Sequence, residues 1–301
     1  FFIKNNVGRK EKMKGINGET RICGLLANPV EHTLSPLIHN TLSKKMGINM
    51  AYVPFKPEKE GLKQAVKGAY ELNILGMNVS VPYKQQIIES LLEMDSMAES
   101  IGAVNTLVRI DGGYKGYNTD IMGLKRAMDI EGVTIKNKQV VLLGAGGVAR
   151  AIAHLCVKEG AEKIWVLNRT FSNAEMLAGQ INTCYHINCA EPLPLTDYRA
   201  LPKERYLVIQ NTNVGMHPNI NQAVIEDSAF YQMVETAYDI IYTPFTTKFM
   251  EYATTYGAKA FNGLRMLVYQ GICAYELWNQ VRVPEETAKE IYDILKKELG
   301  I

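Results

Sequence analysis

The stretch KQVVLLGAGGVARAIAHLCVKEGAEKIWVLNRT, Lys138 to Thr170, constrains the fold more than any other part of the chain. An apolar run, Gln139 to Leu143, leads into Gly144, Ala145, Gly146 and Gly147; a small-residue helical stretch runs to Glu159, and a second apolar run follows from Ile164 to Leu167. Strand, glycine turn, helix and strand in that order make the βαβ half of a dinucleotide-binding fold. Within it, Gly144-x-Gly146-x-x-Ala149 has the spacing in which the first glycine makes the tight turn and the second lets a diphosphate approach the backbone. Ala149 in the third place still permits close packing of helix on strand, and the helix N-terminus offers amide donors to phosphate. The motif alone is weak evidence; lying after a predicted strand and before a predicted helix, it points to a dinucleotide.

The end of the second strand narrows the choice. A site for NAD places a carboxylate there to bond the ribose hydroxyls, but this chain has Asn168, Arg169 and Thr170. Without a carboxylate a 2′-phosphate meets no repulsion, and an arginine can clamp it with paired donors, so the preference read from these residues is NADP, with NAD as a weaker alternative.

The rest of the chain divides around this unit. From Thr20 to about Tyr117, the β-like runs RICGLLA, AYVPF, ILGMNVSVP and AVNTLVRI alternate with the helical stretches PLIHNTLSKKMG and EGLKQAVKGAYEL. That alternation predicts a mostly parallel sheet with helices on its faces. A glycine hairpin, DGGY, then precedes a helix whose first turn carries Asp120. Further strands are expected at RYLVIQNT and TAYDIIY, with the loop NVGMHP between them, and two helices close the chain. The fold class is therefore α/β: an N-terminal α/β domain, residues 13–119 plus 263–301, and a Rossmann-type domain, residues 120–262, with the C-terminal helices returning to the first. Residues 1–12 read as a poorly ordered extension.

With 301 residues there is enough chain for two cores, and 33 basic against 31 acidic residues give no field that would attract nucleic acid or an anionic membrane. A small molecule is the better-fitting partner. Five cysteines without a CxxC pair argue against a disulfide framework or structural zinc and favour a cytoplasmic location. His32, His39, His154, His186 and His217 lack metal-ligand spacing and read as solvated or structural; no GxSxG elbow supports covalent catalysis.

The motifs NPVEHTLSPLIHN, GMNVSVPYK, GAVNT, YNTDIMG, GAGGVAR, NRT, NVGM, YDIIY and NGLRMLVYQ, in that order from Ile22 to Leu299, resemble the shikimate dehydrogenase family. The resemblance implies reversible hydride transfer between the C3 carbinol of shikimate and NADP, giving 3-dehydroshikimate, by a monomer or homodimer. It implies Lys84 and Asp120 as the catalytic pair. Taken alone, Lys84 would be a solvated charge after a proline, and Asp120 a residue favoured by a helix dipole. The resemblance further implies that the acid is met by Thr33, Ser35, Asn78, Ser80, Asn105, Asp120, Tyr242 and Gln270. Ring hydroxyls buried without partners cost free energy, which is why such a substrate needs these short donors and acceptors. For the cofactor it implies Gly144, Ala145, Gly146, Gly147, Val148, Ala149, Asn168, Arg169, Thr170, Asn173 and Gly263.

Three positions depart from the family pattern. Thr33 stands for the usual serine, which bears on acceptance of quinate. Asn173 stands for a second arginine, which weakens the preference for the 2′-phosphate. Arg265 replaces a residue that is usually small and is expected either to fold into solvent or to obstruct the cofactor. Two alternative functions accompany the main one: a quinate/shikimate dehydrogenase with relaxed cofactor use, and a noncatalytic dinucleotide-binding sensor.

Overall fold

The structure is a computed structural model that describes residues 15–301; the expected N-terminal extension lies outside the described residues. In chain order the elements are β1 (Arg21–Leu26), α1 (Ser35–Met46), β2 (Met50–Phe55), α2 (Leu62–Glu71), β3 (Gly76–Val79), β4 (Glu93–Met94), α3 (Ser96–Ile101), β5 (Thr106–Ile110), β6 (Gly113–Tyr117) and α4 (Thr119–Glu131). There follow β7 (Gln139–Leu143), α5 (Gly147–Lys158), β8 (Lys163–Asn168), α6 (Phe171–Tyr185), β9 (Ala190–Pro194), β10 (Tyr206–Gln210), α7 (Ser228–Tyr231), β11 (Val234–Asp239), α8 (Lys248–Thr255), β12 (Lys259–Phe261), α9 (Leu264–Asn279) and α10 (Glu285–Glu298). The contacts divide them into two compact units: residues 15–95, 104–117 and 274–300, and residues 96–103 and 118–273. Segments 96–103 and 263–273 thus group with the second unit, where the sequence division has them in the first.

The first unit holds a six-stranded sheet in the order β2-β1-β3-β5-β6-β4. The pairs β1/β2, β1/β3 and β4/β6 are parallel and β3/β5 and β5/β6 antiparallel; between β5 and β6 the turn at Asp111 and Gly112 is too short for a crossover. All four residues of β3 are buried, as a central strand covered on both faces requires. Gly76 has a steric reason: a Cβ there would lie 2.1 Å from Nε1 of Trp278, whose indole N–H donates to the Leu107 carbonyl at 2.8 Å. Trp278 belongs to the last part of α9, which together with α10 groups with this unit. Both helices thus return to the first unit as the sequence implies, α9 only in its last turns.

The second unit is a six-stranded sheet, β12-β11-β10-β7-β8-β9, parallel throughout. This is the doubly wound order, reversing direction between β7 and β10. Alternation within strands feeds two cores: Val140 and Leu142 pack with Ile152, Leu155 and Ile164 on one face, and Val141 and Leu143 with Val208, Phe230 and Phe249 on the other.

Candidate functional site

In the first unit the candidate residues gather at one edge of the sheet, because the carboxyl ends of parallel β1 and β3 lie level with the start of antiparallel β5: Asn78 is in register with Thr106. The loop after β1 carries Thr33, whose hydroxyl accepts from the Ser35 amide at 3.2 Å as α1 begins. Ser80 follows β3, its amide bonded to Leu26 O at 3.0 Å and its carbonyl to the Tyr83 amide at 2.8 Å, and that turn brings round Lys84. Lys84 is half-buried, and its carbonyl accepts from the Val104 amide at 2.8 Å, which fastens the lysine beside Asn105.

Asn78 does not simply face outward. It is buried, and its Oδ1 accepts from the Tyr52 hydroxyl at 2.9 Å and lies 3.1 Å from His39 Nε2. Its Nδ2 donates to Thr106 Oγ1 at 3.1 Å, and the Thr106 hydroxyl donates to Asn105 Oδ1 at 3.1 Å. Burial drives the imidazole of His39 down to about 3, only partly opposed by its bond to Asn78, so the ring is neutral. Tyr52 and Thr106 are members of this network that the sequence does not single out, and His39, expected to be solvated or structural, is the structural kind. Its one signal is that His39 and Ser43 fall four apart beside the buried positions Ile38 and Leu42 of α1.

In the second unit the candidates again lie at the carboxyl edge of the sheet, where open α/β sheets bind ligands. Gly144 leaves β7 with φ +107°, and a Cβ there would meet Thr212 Cγ2 at 2.8 Å and Asn211 Oδ1 at 2.9 Å. Gly146 and Gly147 are exposed, and a Cβ on either would stand in open space. A loop bare of side chains at the start of α5 fits a diphosphate held by backbone amides. Ala149 is fully buried, while Ala145 and Val148 pack partly into the core. At the end of β8, Asn168 Nδ2 donates to Thr170 O at 2.8 Å and shapes a turn that leaves Arg169, Thr170 and Asn173 exposed.

Asp120 opens α4, with its amide bonded at 3.2 Å to Oδ1 of the N-cap Asn118, whose Nδ2 in turn donates to Ala103 O at 3.1 Å. Between them Thr119 is fully buried, a position the sequence reading passed over. Gln270 sits on α9 against α4, since a Cβ on Gly123 would lie 2.4 Å from the Gln270 amide nitrogen. Tyr242, half-buried, follows β11; burial raises its phenol above the ordinary value. Gly263 differs from its companions: it is buried, its amide donates to Ile241 O at 2.9 Å, and a Cβ would lie 2.0 Å from Ile240 O. Close packing of backbone on backbone accounts for this glycine. Arg265 is turned onto Glu131, Nε to Oε1 3.1 Å, rather than into open solvent. Buried Asp239, at the end of β11, accepts from Thr247 Oγ1 at 2.6 Å, the Ile241 amide at 3.0 Å and Gln210 Nε2 at 3.1 Å; burial nonetheless pushes it up to about 6.

Among the described residues no group of three or more His, Cys, Asp or Glu side chains is placed to hold a metal ion, and no helix is long and apolar enough to cross a membrane.

Known proteins resemble this chain over nearly its full length. Residues 25–107 match the shikimate dehydrogenase substrate binding domain, residues 125–236 the shikimate / quinate 5-dehydrogenase family, and residues 263–291 the shikimate 5′-dehydrogenase C-terminal domain. The shikimate dehydrogenase (NADP(+)) of Carboxydothermus hydrogenoformans is 38% identical over 286 residues, 95% of this chain and 99% of that protein. That of Methanocaldococcus jannaschii is 38% identical over 91% of this chain and 96% of its own length. The crystal structure of shikimate 5-dehydrogenase from Listeria monocytogenes in complex with shikimate and NAD superposes with a TM-score of 0.86 at 32% identity, covering 94% of this chain and 98% of that one. With family models matched in both units and relatives aligned over nearly the full length, the chain belongs to the shikimate dehydrogenase family of oxidoreductases.

Proposed function

We propose that the chain catalyses the reversible oxidation of shikimate at its C3 hydroxyl to 3-dehydroshikimate with NADP. The observation that carries this reading is the end-to-end likeness to enzymes named shikimate dehydrogenase (NADP(+)). Thr33, Ser35, Asn78, Ser80, Asn105, Tyr242 and Gln270 are the residues that bind the acid, as the family likeness implies. The bare loop from Gly144 to Ala149 and the turn from Asn168 to Asn173 hold the dinucleotide, with Arg169 on the 2′-phosphate. When bound, NADP supplies the hydride acceptor.

As the C3 hydrogen leaves with its electron pair, the hydroxyl proton must be accepted, and Lys84 with Asp120 is the pair that handles it. In the reverse direction the same pair returns the proton to the carbonyl oxygen. Initial rates of nicotinamide reduction test the reading: turnover with shikimate and NADP, weaker with quinate or NAD, and largely lost in Lys84→Ala, supports it. Cofactor binding without oxidation of either acid would overturn it and favour a noncatalytic sensor.

A further inference from the structure

The buried network of the first unit has a direction that its pairwise contacts do not reveal one at a time. Asn78 Oδ1 is met by the Tyr52 hydroxyl at 2.9 Å and by His39 Nε2 at 3.1 Å. An amide oxygen only accepts, so Nε2 carries the proton of the neutral ring. Nδ1 is buried without a hydrogen-bond partner, as suits the nitrogen that carries no proton. Two donors on its oxygen turn the nitrogen of Asn78 toward Thr106 Oγ1, 3.1 Å away, and the Thr106 hydroxyl, accepting there, spends its own proton on Asn105 Oδ1 at 3.1 Å. Each step favours one orientation of the next group. The imidazole itself is clamped, stacked on Tyr52 at 4.2 Å between ring centroids and tilted against Trp278 at 5.0 Å.

We infer that His39 is a positioning residue for substrate recognition: through Asn78 and Thr106 it fixes the amide polarity of Asn105, so that Asn105 meets the polyhydroxylated acid with its N–H group and not its carbonyl. The inference rests on the function proposed above and gives one of its binding residues a defined role as donor to a substrate oxygen. Reversing the Asn105 amide would set its nitrogen against the Thr106 hydroxyl proton now directed at its oxygen, and would offer the substrate an acceptor in place of a donor.

The test is a double-mutant cycle read in steady-state kinetics. His39→Leu keeps apolar volume and removes the donor; it is expected to lower kcat/KM for shikimate roughly tenfold, mainly through KM, the effect of one misdirected buried hydrogen bond, with the cofactor KM unchanged. His39→Gln, which restores an N–H near Nε2, is expected to recover most of the loss. In an Asn105→Ala background, His39→Leu is expected to cost nothing further. Should His39→Leu fail to fold, Tyr52→Phe removes the other donor to Asn78 with almost no change of shape and is expected to move the shikimate KM in the same direction.

Nitrogen-15 spectra of the histidines give a readout independent of turnover: His39 is expected as the Nε2–H tautomer, without titrating, between about pH 5 and pH 8. Unaltered kinetics in the folded variants, a loss equally large in the Asn105→Ala background, or an Nδ1–H tautomer would each overturn the inference. Absence of shikimate turnover by the unmodified chain overturns the proposed function instead, and an Nε2–H signal would then still support the fixed polarity of the network.

Discussion

Arg265 Nε lies 3.1 Å from Glu131 Oε1, joining the first turn of α9 to the last turn of α4 within the second unit. Glu131 is nearly buried, and desolvation outweighs both the Tyr238 hydroxyl and the arginine, raising its carboxyl to about 7. A carboxylate whose folded pKa is raised contributes its stability fully below the unfolded value of 4.5 and loses it as pH rises through 7. Ionising Glu131 should therefore cost on the order of 2 kcal/mol between pH 5 and pH 8. Glu131→Gln is expected to flatten that fall in a series of urea titrations, and Arg265→Ala to steepen it.

Gly123→Ala sets two effects against each other. Alanine favours a helix over glycine by about 1 kcal/mol. Here, however, the added Cβ would stand 2.4 Å from the Gln270 amide nitrogen and 2.7 Å from its Cα, and backbone yields less readily than a side chain tip. Sterics should win, with a net destabilisation of about 1–3 kcal/mol in thermal unfolding and a raised KM for the acid as Gln270 shifts.

Arg169 is exposed just beyond the end of β8, where the proposed function sets it on the 2′-phosphate. Arg169→Ala should raise the KM for NADP about tenfold and leave that for NAD nearly unchanged, as loss of a charge-assisted contact to phosphate predicts. Asn173→Arg should shift the ratio the other way, since that position is exposed in the first turn of α6. Cofactor titrations with both dinucleotides check the pair.

Asp120→Asn separates catalysis from folding. The bond that starts α4 uses the Asp120 amide and the Asn118 side chain, not the Asp120 carboxyl. Activity should fall by about 10²–10⁴-fold while the melting temperature holds. Asn118→Ala should do the reverse to stability, lowering it by about 1 kcal/mol through loss of the cap.

How far the sequence spoke depended on the range of the interaction. The loop at Gly144 to Ala149, the hairpin at Gly112 and the helix start at Asp120 are local, written in turn residues and caps, and each was legible. The two-residue strand β4 and three-residue β12 are held by neighbours rather than by pattern, so no periodicity announced them. The candidate site was legible through ordered motifs, but not the partners those residues take. Gly263 reads as a residue for cofactor approach; the backbone of Ile240, brought against it by the fold, gives it a packing reason as well. His39 looked ordinary because Asn78 and Tyr52 reach its helix from strands β3 and β2.

The burial of Glu131 and Asp239 has a consequence for how the molecule senses protons. Both carboxyls are displaced upward, to about 7 and about 6, and both belong to the second unit, whereas the buried imidazole of the first is driven down to about 3. Asp239 holds Gln210, whose side chain oxygen accepts from the Thr212 amide at 2.5 Å, so its charge state bears on the loop beside Gly144. The second unit in this sense carries carboxyls that respond to the acidity of its surroundings, and the network around His39 is insulated from it. Mild acidification should then register in the second unit, and in any cofactor affinity that depends on it, before it disturbs the hydrogen bonds around His39.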